Sequence, residues 1–156
     1  MKRVAIILTF LSFFSACVFN VHLPPEEKTQ TPQSYLAPDS ILYKYPQQVT
    51  KNIYSAIGAT APPTYENSGH NNNLSFIITS DGVVVVNAGS SYLLAQALHD
   101  EIKKLTDQKV KYVILENAQG HAMLGSNYWQ EQGAKIVAQK EGAEVMKDYG
   151  KALVKS

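Results

Sequence analysis

Asn117, Gln119 and His121 alternate along a short stretch where the apolar run at 110–115 gives way to polar residues punctuated by Gly120 and Gly125. An imidazole near neutral pH can accept a proton from water or coordinate a metal ion, so His121 is the candidate general base and imidazole ligand. The amides of Asn117 and Gln119 add neutral oxygen donors, which are polar or weak metal contacts. In an extended segment, alternate side chains share one side, so the three would converge on one ligand. The competing reading is a loop whose amides simply satisfy backbone groups.

The other residues capable of chemistry are scattered. His70, in the Asn-rich stretch 69–73, is read as part of a polar surface loop, with the mouth of a crevice as the alternative. His99, beside Asp100 on a helical pattern, is read as solvated, and His22 lies in a polar tether. Tyr128 and Trp129 follow the loop and serve either to stack on a ligand or to bury against a sheet. Residues 62–66, with two prolines, are either a lid or a connector.

The elements that must position these residues follow from apolar periodicity. Residues 49–57 alternate and read as a first strand. Residues 74–79 and 83–87 are β-branched runs around Ser80-Asp81-Gly82, which signals an antiparallel hairpin. The run Val83 to Val86 does not alternate and is expected to be covered on both faces. Ser90 or Ser91 caps a helix whose Leu94, Ala97, Leu98, Ile102 and Leu105 form a stripe. A strand at 110–115, a helix near 126–132 stopped by Gly133, a strand at 135–138 and a helix at 141–153 complete the order. Strands alternating with helices predict an α/β fold with a mixed sheet and parallel crossovers.

The N-terminus describes a route rather than a fold. Lys2 and Arg3, the apolar run 4–14 and the small pair Ser15-Ala16 read as a signal peptide over 1–16, too short for a membrane span of about 20 residues. The single cysteine, Cys17, follows Phe14-Ser15-Ala16 and resembles the lipobox of bacterial lipoproteins, although Phe14 stands where Leu or Val is usual. That resemblance implies a lipidated Cys17 anchoring an exported, periplasmic protein to a membrane, where two acyl chains hold stably. Residues 17–40, rich in Pro, Gln, Thr and Ser, read as a flexible tether, leaving one domain at 41–156. A formal net charge of +1 with no basic cluster excludes a nucleic-acid surface.

The segments Asn67 to Gly89 and Ile102 to Leu115, in this order of elements, resemble the N-terminal half of a metallo-β-lactamase-fold hydrolase. The likeness covers residues 49–139 and implies half of a four-layer αββα sandwich. Members of that family use a mono- or dinuclear metal site, usually zinc, to hydrolyse β-lactams, thioesters, phosphodiesters and other esters. Their signature, His-x-His-x-Asp-His, follows the strand matched here by 110–115. With Gly120 and Gly125 as anchors, its positions fall on Asn117, Gln119, His121 and Ala122, a degenerate set poor in zinc donors. The family's strand-end Asp-Thr-Gly stands here as Asn87-Ala88-Gly89.

The resemblance thus implies an exported hydrolase-like protein with impaired metal-dependent hydrolysis, ending before the second half of the sandwich. A non-catalytic periplasmic binding or assembly module on the same fold, holding a small molecule or a partner chain, is the alternative. Half of a sandwich leaves one sheet face bare, so the expectation is either a truncated gene product or a second copy or another chain that covers it.

Overall fold

The computed structural model describes residues 40–155, with side chains through Tyr149. The expected signal peptide, Cys17, His22 and nearly all of the tether lie outside the described residues. Six strands form one sheet in sequence order: β1 (Gln47–Thr50), β2 (Ile53–Ala56), β3 (Leu74–Ile78), β4 (Val83–Val86), β5 (Val110–Leu115) and β6 (Lys135–Ala138). β1 to β4 pair antiparallel, and β4, β5 and β6 pair parallel. The helices are α1 (Tyr92–Leu105), α2 (Gly120–Met123), α3 (Ser126–Glu131) and α4 (Lys140–Lys155). Among the described residues, no helix is long and apolar enough to cross a membrane. The mixed α/β sheet expected from the sequence is therefore present.

The strand expected at 49–57 is instead a hairpin. β1 and β2 turn back on each other with Thr50 opposite Ile53, which leaves Lys51 and Asn52 as a two-residue turn. Asn52 has φ +64°, a left-handed conformation that asparagine tolerates better than most residues. The alternation of Val49, Lys51 and Ile53 therefore spans two strands rather than one.

The hairpin at Ser80-Asp81-Gly82 forms as expected. Thr79 closes it through its backbone N–H and its hydroxyl, both donating to the Gly82 carbonyl at 3.0 and 2.8 Å. A Cβ on Gly82 would come within 2.8 Å of the Lys111 side chain, which bridges to Asp81 at 2.6 Å.

On one face of the sheet, Leu74, Phe76, Val83, Val85 and Val113 are fully buried together with Leu94, Leu98 and Ile102 of α1 and Trp129 of α3. Ser91 caps α1, its hydroxyl accepting from the Leu94 N–H at 3.1 Å. The buried side of α1 is rotated from the expected stripe: Ala95 and His99 are buried, whereas Leu105 is 48% exposed. The cause is α3, which packs beside α1 and draws its flank inward.

Among the described residues, the valine run of β4 is fully covered on one face only, against expectation. Val83 and Val85 are buried, and Val84 and Val86 stay half-exposed. They belong to two cross-strand rows on the second face, Ile53–Ile77–Val84–Tyr112–Lys135 and Ser55–Ser75–Val86–Ile114–Val137. An unbroken apolar strand is thus compatible with a face that nothing in the described chain fully covers.

Candidate functional site

The site region lies beyond the carboxyl ends of β4 and β5, the usual position for a crevice in an α/β sheet. Asn87 leaves β4 with φ +67° and is 2% exposed. Its Oδ1 accepts from the Glu116 N–H at 3.3 Å, while its Nδ2 donates to the Asn73 carbonyl at 3.5 Å. One amide therefore joins the end of β5 to the Asn-rich stretch.

The segment after β5 is fastened to the segment after β4. The Ala88 N–H donates to the Ala122 carbonyl at 2.7 Å, and the Gly125 N–H donates to the Gly89 carbonyl at 2.8 Å. Trp129 Nε1 donates to the Ala88 carbonyl at 3.0 Å. A Cβ on Gly125 would lie 2.2 Å from that carbonyl oxygen and 2.9 Å from the Ala95 methyl, so only glycine permits this approach. Tyr128 and Trp129 are both buried, which settles their role as packing against the sheet and α1.

Of the three predicted site residues, the structure keeps Asn117, Gln119 and His121 on one short segment but not in one extended array. The strand ends at Leu115, residues 116–119 are bends and Gly120–Met123 is a helical turn, so the strand-like alternation does not extend through these three residues. Asn117 is half-buried, and its Oδ1 accepts from the Gln119 N–H at 2.8 Å, the local backbone bonding of the competing reading. Gln119 is exposed and His121 half-buried. Ala122 is fully buried and contributes its carbonyl to the Ala88 N–H.

The fit of zinc to this segment can be judged from the donors present. Structural and catalytic zinc take thiolate, imidazole and carboxylate ligands, commonly three or four of them. Among the described residues, no three of His, Cys, Asp and Glu gather in a group that could hold a metal ion. The Asn117 carbonyl oxygen is already engaged by Gln119. The segment does not fit the ion.

Two histidines depart from their expected places. His70 is fully buried rather than on a surface loop, with Nδ1 accepting from the Tyr43 N–H at 2.9 Å. Burial pushes its pKa down to about 4, against the smaller opposing pull of the Ala56 and Asn72 backbone. The sequence carries little signal of this, because the partner lies 27 residues upstream. Asn67, buried and unanticipated, accepts from the Thr64 and Gly69 N–H groups at 2.9 and 3.0 Å and donates to the Pro62 carbonyl at 2.9 Å. That stretch is a fastened connector at its Asn67 end.

His99 is buried rather than solvated, its Nδ1 hydrogen-bonded to the Tyr128 hydroxyl at 2.8 Å. Burial lowers its pKa, with a further lowering from the Lys103 charge. Burial also raises the Tyr128 hydroxyl, to about 12, and Tyr92 meets the Tyr128 ring edge-on at 5.0 Å.

His70 Nε2, Asn71 Oδ1, both amide atoms of Asn72 and the Ser90 hydroxyl are buried without a hydrogen-bonding partner among the described residues. Ser90 lies against Gly69, where a Cβ would approach its hydroxyl to 3.0 Å. The uncommitted hydrogen-bonding capacity of the region therefore lies in neutral amides, a hydroxyl and the Nε2 of the His70 imidazole on this side, which sequence reading missed.

Solved structures define the class of fold. The chain is similar to the metallo-β-lactamase FIM-1 from Pseudomonas aeruginosa in its mono-zinc form, at 14% identity and a TM-score of 0.56, over 67% of this chain and 46% of that one. It is similar to a metallo-β-lactamase from Hirschia baltica at 16% identity and a TM-score of 0.56, over 67% and 47% of the two chains. A metallo-β-lactamase from Pontibacter korlensis matches at 18% identity and a TM-score of 0.54, over 66% and 46%. The fold is thus one half of a metallo-β-lactamase fold, as the sequence resemblance implied. The match extends over about half the length of those chains. No family model and no curated protein matches the sequence.

Proposed function

We propose that this chain is an exported, hydrolase-like protein of the metallo-β-lactamase superfamily in which metal-dependent hydrolysis is impaired. The fold supports the superfamily. The impairment rests on one observation: the Asn117 side chain at a motif position is engaged with its own loop, accepting from the Gln119 N–H. His121 is the remaining imidazole of that segment, and as a general base or lone ligand it would supply whatever chemistry survives. Export and anchoring through Cys17 in the periplasm rest on the N-terminal pattern of residues 1–17.

The test is zinc content after exhaustive dialysis. The proposal expects less than one tightly held zinc per chain, with no change on His121→Ala. Stoichiometric zinc that is lost in His121→Ala would refute it and restore a working centre.

A specific observation favours the second reading, a binding module on the same fold. The buried, unpartnered groups of Asn71, Asn72 and Ser90 are neutral donors and acceptors, suited to an uncharged polar small molecule. Asn72→Leu, which removes both amide atoms, would abolish such binding in calorimetry while leaving zinc content unchanged.

A further inference from the structure

We propose that Trp129, Tyr128 and Tyr92 form a path that carries an oxidising equivalent outward from the candidate site, with His99 and Glu131 taking the phenol protons. The oxidant is a one-electron acceptor of the oxygen-centred radical class, lodged beyond β4 and β5. The reductant that refills the path at Tyr92 is a small water-soluble molecule of the ascorbate class. The inference rests on this side-chain cluster alone and holds whether or not the 117–121 segment supports catalysis.

The three rings are in edge contact. Trp129 and Tyr128 have centroids 5.3 Å apart at an interplanar angle of 78°, and Tyr128 and Tyr92 have centroids 5.0 Å apart at 87°. At that spacing ring atoms touch, so an electron crosses each step without a solvent gap. The path also runs from inside to outside: Trp129 is fully buried, Tyr128 is 4% exposed and Tyr92 is 37% exposed. At its inner end the indole Nε1 donates to the Ala88 carbonyl, on the backbone that leaves β4.

The hydrogen bonds suit each ring to its step. Loss of an electron from Trp129 gives an indole radical cation, and a backbone carbonyl is too weak a base to take its N–H proton, so the ring stays cationic and strongly oxidising. Both phenols are held protonated, Tyr128 by burial that pushes its pKa up to about 12 and Tyr92 by the Glu131 carboxylate that accepts its hydrogen bond. A protonated phenol yields its electron readily only when its proton has an acceptor in place. Tyr128 has His99 Nδ1 at 2.8 Å, and burial and the Lys103 charge hold that imidazole neutral at pH 7 against the opposing pull of Asp100. Tyr92 has Glu131 Oε2 at 2.7 Å.

Electrons and protons balance at each step. One electron passes from Tyr128 to the indole radical cation and restores Trp129, while the hydroxyl proton moves to His99 Nδ1, leaving a neutral phenoxyl radical and an imidazolium. One electron then passes from Tyr92 to that phenoxyl, which takes its proton back from Nδ1, while the Tyr92 hydroxyl proton moves to Glu131. The first pair of products keeps a charge on a buried ring, whereas the second leaves a neutral carboxylic acid on an exposed side chain, so the radical settles on Tyr92. An electron from the reductant, with the proton that Glu131 returns, restores the phenol.

The experiment is laser flash photolysis of the full chain in a non-ionic detergent. Trp129 is the only tryptophan in the sequence, so a pulse beyond the absorption edge of tyrosine ionises it alone. In the wild type, tyrosyl radical absorption should rise as tryptophan radical absorption decays. Tyr128→Phe, which keeps the ring and removes the hydroxyl, should lengthen the life of the tryptophan radical at least about tenfold. Tyr92→Phe should strand the radical on buried Tyr128, where added ascorbate quenches it several-fold more slowly than in the wild type. Transfer in the wild type should also slow in D2O, because the phenol proton moves with the electron. If Tyr128→Phe fails to fold, the wild type alone decides. Decay of the tryptophan radical without a tyrosyl rise overturns the proposal, as do equal rates in H2O and D2O. Equal tryptophan radical lifetimes in the wild type and Tyr128→Phe overturn it too, as does equally fast ascorbate quenching in Tyr92→Phe.

Discussion

Replacing His70 by asparagine should remove a large part of the protein's acid sensitivity. The neutral ring is fully buried, and its Nδ1 accepts from the Tyr43 N–H, so protonation would set two donors against each other and bury a charge. Its pKa falls from an ordinary 6.5 to about 4 in the folded protein. Between those values the unfolded chain binds more protons than the folded one, so stability declines as pH drops from 6.5 toward 4 and the loss is complete below about 4. At about 1.36 kcal/mol per pH unit, the penalty is on the order of 3 kcal/mol.

An asparagine at position 70 can still offer an acceptor near Nδ1 but cannot titrate. His70→Asn should cost about 1–2 kcal/mol at pH 7 through lost packing, and should then lose less stability than wild type on acidification. Urea midpoints at a series of pH values from 7.5 to about 4 measure both. His99 titrates in the same direction in both proteins, and the difference between their curves cancels it. Parallel decline of the two curves would refute the burial argument for His70.

Three further outcomes are expected. Gly125→Ala should destabilise by about 3 kcal/mol in urea titration, because the added methyl meets the Ala88 carbonyl at 2.2 Å and neither segment can yield without breaking its hydrogen bonds. Asn52→Gly should be neutral or stabilising by up to about 1 kcal/mol and Asn52→Val destabilising by about 1–2 kcal/mol in thermal melts, since the hairpin requires a φ of +64° there. Trp129→Phe should lower stability by about 2 kcal/mol, from the lost bond to the Ala88 carbonyl and the lost ring volume, in a circular-dichroism melt.

The elements were largely legible in the sequence because their signals are local. The Ser80-Asp81-Gly82 turn, the Ser91 cap and the runs of β5 and β6 need only neighbouring residues to be recognised. The hairpin at Lys51-Asn52 escaped because its turn residue carries no glycine and the apolar alternation continues through it. The site was less legible. The spacing of Asn117, Gln119 and His121 is read from neighbouring residues, but the helical turn starting at Gly120 depends on the Ala88–Ala122 and Gly125–Gly89 bonds between distant segments. The burial of His70 and His99 escapes a local reading for the same reason, since their partners, Tyr43 and Tyr128, lie 27 and 29 residues away.

The amino-acid order by itself determined the α/β layering, the position of the loop beyond β5 and the donor types available there, because periodicity and residue chemistry are properties of short stretches. Tertiary structure alone decided which of those donors are engaged, which histidines are buried and which face of the sheet the described residues cover. Those outcomes depend on long-range packing: Val83 and Val84 are adjacent and chemically identical, and only the position of α1 and α3 makes one of them core and the other surface.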